Sequence, residues 1–372
     1  MYKSFVTFIV LILTLNTASA QILFSGPEND VAAISDFIDS ANQTLYISVY
    51  EFTSPLIMGF IDKKNINATI LVEGGPPGGL EEISKKILCK LSKRHEVYLY
   101  KGDLRFLHGK YMISRDSVFV SSENFADSKN RGWGVWVSDK DIAGKLLEVF
   151  QEDLENAEKY KCNLEDYSIS KNYNTKASTT NYVKTSLEKI DLVTAPENAV
   201  DKITQLIRSA NESIYIEQFY IRNWNDNNPF LEEAIQKARQ GLEVKILLDS
   251  VWYNLEENGK IVDYVNSVAE KENLNLEAKL VDLQLKEFDK IHNKGMIIDK
   301  KIVLVSSINW NENSPTNNRE VGLIIEGDID YFVDLFQRDF QGEKEYVATS
   351  YLYLIISIVA VSGFLYIFRN KL

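Results

Sequence analysis

His292-Asn293-Lys294-Gly295-Met296-Ile297-Ile298-Asp299-Lys300-Lys301-Ile302-Val303-Leu304-Val305-Ser306-Ser307-Ile308-Asn309 is the stretch that decides the fold. Two short apolar, β-branched runs flank Asp299-Lys300-Lys301, the pattern of a strand, a turn and a returning strand. Side chains at i and i+2 of a strand share a face, so His292 and Lys294 point together. The return strand brings Ser306, Ser307 and Asn309 back beside them. A second stretch repeats the arrangement: His108-Gly109-Lys110, an apolar run from Tyr111 to Val120, then Ser121, Ser122 and Asn124. The chain of 372 residues has three histidines, and these motifs use two of them. The third, His95, lies among Lys93, Arg94 and Glu96 and reads as an exposed strand end. Two such clusters in so histidine-poor a chain predict one active site split between two halves.

The repeat extends beyond the motifs. Pro27-Glu28-Asn29 is echoed by Pro196-Glu197-Asn198, and each runs into an amphipathic helical pattern. Val31, Ile34 and Ile38 match Val200, Ile203 and Ile207 on the apolar face. Ser40-Ala41-Asn42 returns as Ser209-Ala210-Asn211, and Leu45-Tyr46-Ile47 as Ile214-Tyr215-Ile216, all at an offset of 169 positions. A repeat this long signals duplicated domains rather than a solenoid of short units. Strands alternate with helices in both halves, which predicts α/β layers around a largely parallel sheet. One helix is expected from Pro229 to Gln240, closed by Gly241, with a strand from Val244 to Leu248. Residues 163–190 are rich in Ser, Thr, Asn and Lys and read as a linker between a first domain, 21–162, and a second, 191–343.

H-x-K-x4-D followed by a Ser-Ser-x-Asn cluster is the pattern of the phospholipase D superfamily, and this chain resembles a member carrying both copies. The second copy matches at His292, Lys294, Asp299, Ser307 and Asn309, with Glu320 downstream. The first departs from it. Arg115 stands at the Asp position, Asp116 follows one place late, and the span to Ser122 is one residue shorter. Asn130-Arg131-Gly132 aligns with Asn318-Arg319-Glu320, so Gly132 stands where the other half has its acid.

The resemblance implies two tandem phospholipase D-like α-β-α sandwich domains with pseudo-two-fold symmetry. It also implies a two-step displacement through a phosphohistidine, with neither metal nor organic cofactor. His108, Lys110, His292, Lys294 and Glu320 take the catalytic roles. Ser122, Asn124, Ser307 and Asn309 hold the substrate phosphate, and Asp299 and the shifted Asp116 support the hairpins. In this family an acid downstream of one motif orients the other motif's histidine. Glu320 therefore implies His108 as nucleophile and His292 as general acid. His292 then lacks an orienting carboxylate unless Glu51 or Asp127 substitutes.

The residue types suit that chemistry. A phosphodiester is an anion that resists attack until its charge is neutralised and its leaving oxygen protonated. Lysines supply cations, and preorganised donors stabilise the charge that develops. Histidine titrates near pH 6.5, so one ring can attack while the other donates a proton, worth about 10²–10⁴-fold. No Cys/His cluster has metal-ligand spacing. Gly74-Gly75-Pro76-Pro77-Gly78-Gly79 carries paired prolines that remove amide donors, so it reads as a surface loop rather than a phosphate cradle.

The termini suggest a compartment. Lys3, the apolar run Phe5 to Leu15 and Ala18-Ser19-Ala20 read as a signal peptide over residues 1–20. Residues 346–368 contain no charge and precede Arg369 and Lys371. That is long enough for a membrane-spanning helix with a short cytoplasmic tail, the alternative being a buried core helix. The expectation is a single-pass protein of the cell membrane with its catalytic domains on the extracytoplasmic side. Sequons at Asn42, Asn67 and Asn211 are compatible with that side. There, Cys89 and Cys162 form a candidate disulfide, the alternative being two buried thiols.

Substrate class follows less directly. A formal net charge of −12 disfavours broad binding of a polyanion, whereas a membrane tether favours a phospholipid headgroup, with water or an alcohol as acceptor. Val49-Tyr50-Glu51-Phe52-Thr53-Ser54-Pro55 resembles the small nuclease-like members, so an extracytoplasmic nuclease acting on single strands is the alternative. A catalytically impaired binding module is a third reading. Trp133, Trp224, Trp252 and above all Trp310 are candidates for lining a substrate groove. Glu152, Asp153, Glu155 and Glu158 read as a solvated helix face. Both motifs lie in one chain, so an oligomer is not required.

Overall fold

The computed structural model describes residues 21–169, 182–224 and 226–341. The proposed signal peptide and membrane-spanning segment lie outside the described residues. Among the described residues, no helix is long and apolar enough to cross a membrane.

The first half begins β1 (Gln21–Gly26), α1 (Asp30–Ser40), β2 (Thr44–Val49), α2 (Pro55–Lys63) and β3 (Asn67–Glu73). It continues α3 (Glu82–Leu91), β4 (Glu96–Tyr100), β5 (Tyr111–Ser114), β6 (Ser117–Ser121), β7 (Gly132–Ser138), α4 (Lys140–Glu155) and β8 (Ala157–Lys159). After β9 (Val183–Thr185) the pattern restarts with β10 (Leu187–Ala195), α5 (Ala199–Ser209), β11 (Ser213–Gln218), α6 (Pro229–Arg239) and β12 (Glu243–Leu248). Then come α7 (Leu255–Glu272), β13 (Leu276–Leu280), α8 (Leu283–Lys286), β14 (Lys294–Ile298), β15 (Ile302–Ser306), α9 (Asn313–Asn317), β16 (Glu320–Gly327) and α10 (Asp330–Gln341).

The two sheets share one order. The first runs β8-β4-β3-β2-β5-β6-β7-β1-β9 and the second β13-β12-β11-β14-β15-β16-β10, so seven strands correspond one to one. The expectation of a largely parallel sheet is corrected. Only β2-β3-β4 and β11-β12-β13 pair in parallel; the remaining pairings are antiparallel. The physical reason is the motif hairpin: β5–β6 and β14–β15 return through two or three residues, which permits only antiparallel neighbours.

Burial explains the strand sequences. β5, β14 and most of β6 and β15 are buried on both faces, so they read as continuous apolar runs rather than alternating ones. Outer cores form between each sheet and its own helices: Phe37, Ile38 and Ile61 in the first half, Ile203, Phe230 and Ile235 in the second. A third core joins the halves. There Ile142, Leu146 and Phe150 of α4 meet Phe332, Leu335 and Phe336 of α10, and Trp133 stacks on Phe332 at 5.0 Å. Trp133 and Trp310 are fully buried core residues, which corrects their reading as groove residues.

The repeated Pro-Glu-Asn has a structural task. Asn29 Oδ1 accepts from Ser25 N, and Asn198 Oδ1 from Thr194 N, each at 2.9 Å, folding the turn back on its strand. Glu28 pairs with Arg131 and Glu197 with Arg319. α6 is capped by Asn228, whose side chain accepts from Phe230 N and Leu231 N, and Gly241 behind it has φ +97°. Cys89 and Cys162 are joined in a disulfide.

Two further readings are corrected. His95 is buried, its Nδ1 facing Ala68 N at 3.4 Å, because the turn after α3 folds it under β3. Asp153 belongs to no solvated face: it is buried against Arg319.

Candidate active site

Each HxK segment is held at three points before its strand begins. Glu73 Oε2, at the end of β3, accepts from Leu107 N at 2.6 Å, and Asp249 Oδ1, after β12, accepts from Ile291 N at 2.8 Å. The segment then zips onto the opposite half: His108 N donates to Arg319 O and His292 N to Arg131 O, both at 2.8 Å. The reciprocal bonds run from Arg319 N to Phe106 O and from Arg131 N to Lys290 O, both at 2.9 Å. Finally Lys110 Nζ donates to the carbonyl of His108, and Lys294 Nζ to that of His292. These four bonds around each histidine leave its backbone little freedom.

This crossing explains why the acid comes from the other half. Glu320 directly follows Arg319, so its side chain lies over the histidine that Arg319 pairs with. Glu320 Oε2 is 2.8 Å from His108 Nδ1. Ser307 Oγ and Ser314 Oγ donate to Glu320 at 2.5 Å, and Asn318 Nδ2 donates at 2.9 Å. Ser307 is thus engaged by the acid and by Val321 N, and Ser122 Oγ accepts from Trp133 N at 3.0 Å. Both serines are buried, and these bonds tie the acid and the ends of the returning strands together. Asn124 Nδ2 donates to Glu51 at 3.1 Å. The Oδ1 atoms of Asn124 and Asn309 are buried without a hydrogen-bond partner among the described residues.

The first half holds a carboxylate that the motif pattern missed. Glu123 Oε1 lies 3.1 Å from His292 Nδ1. Neither residue named for that task performs it: Glu51 is taken by Asn124, and Asp127 accepts from Ser54 Oγ. Glu123 sits inside the Ser-Ser-x-Asn cluster at the x position, where the second copy has Ile308. An acid in place of an apolar residue was the available signal.

The hairpin supports also differ. Asp299 has φ 52° and receives the amides of Asn211, Glu212 and Ser213 at 2.7–3.1 Å, tying the turn to the start of β11. In the shorter first turn Arg115 takes the positive φ, and Asp116 lies exposed, 3.6 Å from Arg115 Nε. Asp116 does not do the work of Asp299, because losing one turn residue rotates it out to solvent.

The electrostatics bring the two halves together. Burial, with Lys110 and Lys294 behind it, overcomes Glu320 and pushes His108 down to about 4. Burial, then Lys294, Lys290, Lys110 and His108 itself, holds His292 well below the usual imidazole range. Burial pushes Lys110 down to about 7 and, with Lys110 as neighbour, Lys294 well below its ordinary value. Burial raises Glu320, but His108 and Lys110 outweigh it and keep the carboxyl low, whereas burial wins at Glu123 and raises it. Two imidazoles and two ammonium groups that depress one another share a single cleft. Aromatic rings wall it: Tyr50 lies edge-on to His108 at 4.8 Å and Phe219 to His292 at 4.9 Å.

The comparisons agree with this architecture. The family model described as cardiolipin synthase, PLD-like domain, matches residues 34–154 and 203–343. The fold is similar to the crystal structure of a phosphatidylserine synthase from Haemophilus influenzae Rd KW20, at 11% identity and a TM-score of 0.59, over 87% of this chain and 86% of that one. A polyphosphate kinase from Porphyromonas gingivalis aligns at 11% identity and a TM-score of 0.56, covering 91% of this chain and 55% of the kinase. NucT from Helicobacter pylori aligns at 24% identity and a TM-score of 0.35, covering 41% of this chain and 96% of its own. No curated protein sequence matches the chain.

Proposed function

Because this chain belongs to the phospholipase D superfamily, we propose that it is a phosphodiesterase that cleaves phospholipid phosphodiesters through a phosphohistidine. One observation carries the reading: each half supplies an imidazole whose Nδ1 faces a buried carboxylate, at 2.8 Å for His108 and 3.1 Å for His292. With Nδ1 engaged, Nε2 is the nitrogen available to phosphorus or to the leaving oxygen.

In the first step His108 Nε2 attacks phosphorus, and Glu320 accepts the Nδ1 proton's hydrogen bond and stabilises the ring as it becomes cationic. The P–O bond to the leaving group breaks, and His292 gives that oxygen its proton. In the second step His292 takes a proton from water or an alcohol, whose oxygen attacks phosphorus, and the N–P bond breaks to free His108. Lys110 and Lys294 neutralise the phosphoryl oxygens, and Asn309 and Asn124 are the amide side chains assigned to hold them. The substrate's own negative charge raises the depressed bases, so ammonium and imidazolium form where they are needed.

Several features favour a lipid. The net charge of −12 opposes a polynucleotide. Trp252 is 83% exposed beside Tyr253, whose ring is 6.2 Å from Phe219 at the cleft wall, and such amphipathic rings suit a lipid–water boundary. The uncharged segment 346–368 would tether the body, with its catalytic domains outside the cytoplasm. A single-strand nuclease is the second reading, because the same rings could stack bases. The full chain is to be incubated with labelled phosphatidylcholine, cardiolipin and single-stranded DNA, beside His108→Ala. Lipid product lost in the variant supports the proposal. Product from DNA alone replaces the lipid reading, and product from none of the three rejects catalysis on these substrates. Acid-labile, base-stable label on His108 with an aryl phosphodiester in His292→Ala identifies the nucleophile; label on His292 in His108→Ala reverses the roles.

A further inference from the structure

We propose that Glu123 is the positioning carboxylate of His292, supplied from the β6–β7 connection in place of the acid that the other half carries at the start of β16. The inference rests on the catalytic reading of the two histidines and extends it to a residue outside the motif. Three observations meet on it.

The first is the contact itself. Glu123 is buried, and its Oε1 lies 3.1 Å from His292 Nδ1. The second is the partner that holds the acid. Asn130 Nδ2 donates to Glu123 Oε2 at 2.9 Å, just as Asn318 Nδ2 donates to Glu320 Oε1 at 2.9 Å. Asn130 and Asn318 occupy equivalent places in Asn-Arg-Gly and Asn-Arg-Glu. The same asparagine therefore orients a carboxylate in both halves, although the carboxylates leave different points of the backbone. The third is the space. A Cβ added to Gly132 would lie 2.5 Å from Glu123 Cγ and 2.7 Å from its Oε1. Ser122 Oγ lies 2.7 Å from the same point, so Glu123 and Ser122 together fill the volume that a side chain at Gly132 would take. Its φ lies outside the positive range, so space and not backbone conformation excludes a larger residue.

The first half has kept its acid by moving it nine positions upstream, from 132 to 123. The relocated group is not equivalent to Glu320. Two serine hydroxyls and an asparagine amide bind Glu320, whereas Asn130 is the side-chain donor to Glu123. A less solvated carboxylate at a longer distance holds the proton of its imidazole less firmly as an ion pair. That suits a ring that must release a proton to the leaving oxygen and recover one from water, while the tighter pair suits the ring that becomes covalently bound.

The test uses the three histidines of the full chain, labelled with ¹⁵N on histidine. In Glu123→Ala the Nδ1–H tautomer of His292 is expected to lose its dominance, with His108 and His95 unchanged. Turnover should fall about 10–10³-fold on an alkyl phosphodiester and less than threefold on an aryl one that needs little acid assistance, with KM within about twofold. Glu123→Ala combined with Gly132→Glu should recover at least tenfold of the loss, whereas Gly132→Glu alone should be impaired. If Glu123→Ala does not fold, Glu123→Gln keeps the volume, and the His292 pKa must then drop. An unchanged His292 tautomer, or equal losses on both substrates, overturns the assignment. The tautomer shift in Glu123→Ala, together with a wild-type chain that cleaves no phosphodiester, would reject the enzyme reading while leaving the positioning intact.

Discussion

Arg319 Nε lies 2.9 Å from Asp153 Oδ1, across the boundary between the two halves, and Arg131 Nε lies 2.6 Å from Asp339 Oδ2 in the mirrored place. Each arginine also binds the glutamate of its own Pro-Glu-Asn turn, so one guanidinium ties a turn, a site strand and the opposite central helix. The carbonyls of the same two residues receive the amides of His292 and His108. Cutting the guanidinium leaves two carboxylates without their cation. Arg319→Met is expected to destabilise by about 3–5 kcal/mol, and Arg319→Met with Asp153→Leu by less than half of that. Denaturant unfolding measures both; a single variant within 1 kcal/mol of wild type would contradict the role.

The two hairpin aspartates separate by the same method. Asp299→Ala strands three amides and should lose about 1–3 kcal/mol, while Asp116→Ala should stay within about 0.5 kcal/mol. The amides of Ser213, Glu212 and Asn211 outweigh burial and hold the Asp299 carboxyl below 3.8. An acid depressed on folding stabilises above its unfolded value, so the difference between wild type and Asp299→Ala should vanish as the pH falls below that range.

Proton binding in the cleft gives a third check. Unfolded histidine takes a proton near 6.5, but folded His108 refuses it until about 4. Between those values the unfolded chain binds more protons, so stability should fall as the pH drops through that window, by up to about 3 kcal/mol from this group. Inorganic phosphate in the cleft should raise the titration midpoints of His108 and His292 and leave that of His95 in place. Histidine NMR titrations read all three; midpoints indifferent to phosphate would place anion binding elsewhere.

Trp252 separates the substrate readings. Trp252→Ala should lower turnover of phospholipid in vesicles about tenfold and leave turnover of a short, soluble phosphodiester within about twofold. Its ring lies beside Tyr253 and touches neither histidine. Equal effects on both substrates would assign the ring to the cleft rather than to the lipid surface.

By itself the sequence determined the duplication and the strand–turn–strand around each HxK. These follow from local periodicity and from residue types repeated at fixed spacing, which act over a few residues. Tertiary structure alone decided how the acids are shared. The crossed backbone bonds of Arg131 with Ile291's neighbours and of Arg319 with Phe106 and His108 join residues far apart in sequence, so no spacing reveals them. Glu123 stands away from the position equivalent to Glu320 because space, not sequence position, fixes where a carboxylate must stand: the ring needs an oxygen near Nδ1, and any backbone point from which a side chain reaches that volume will serve. The same holds for Asp153 and His95, whose chemistry suggested solvent until the surrounding chain closed over them.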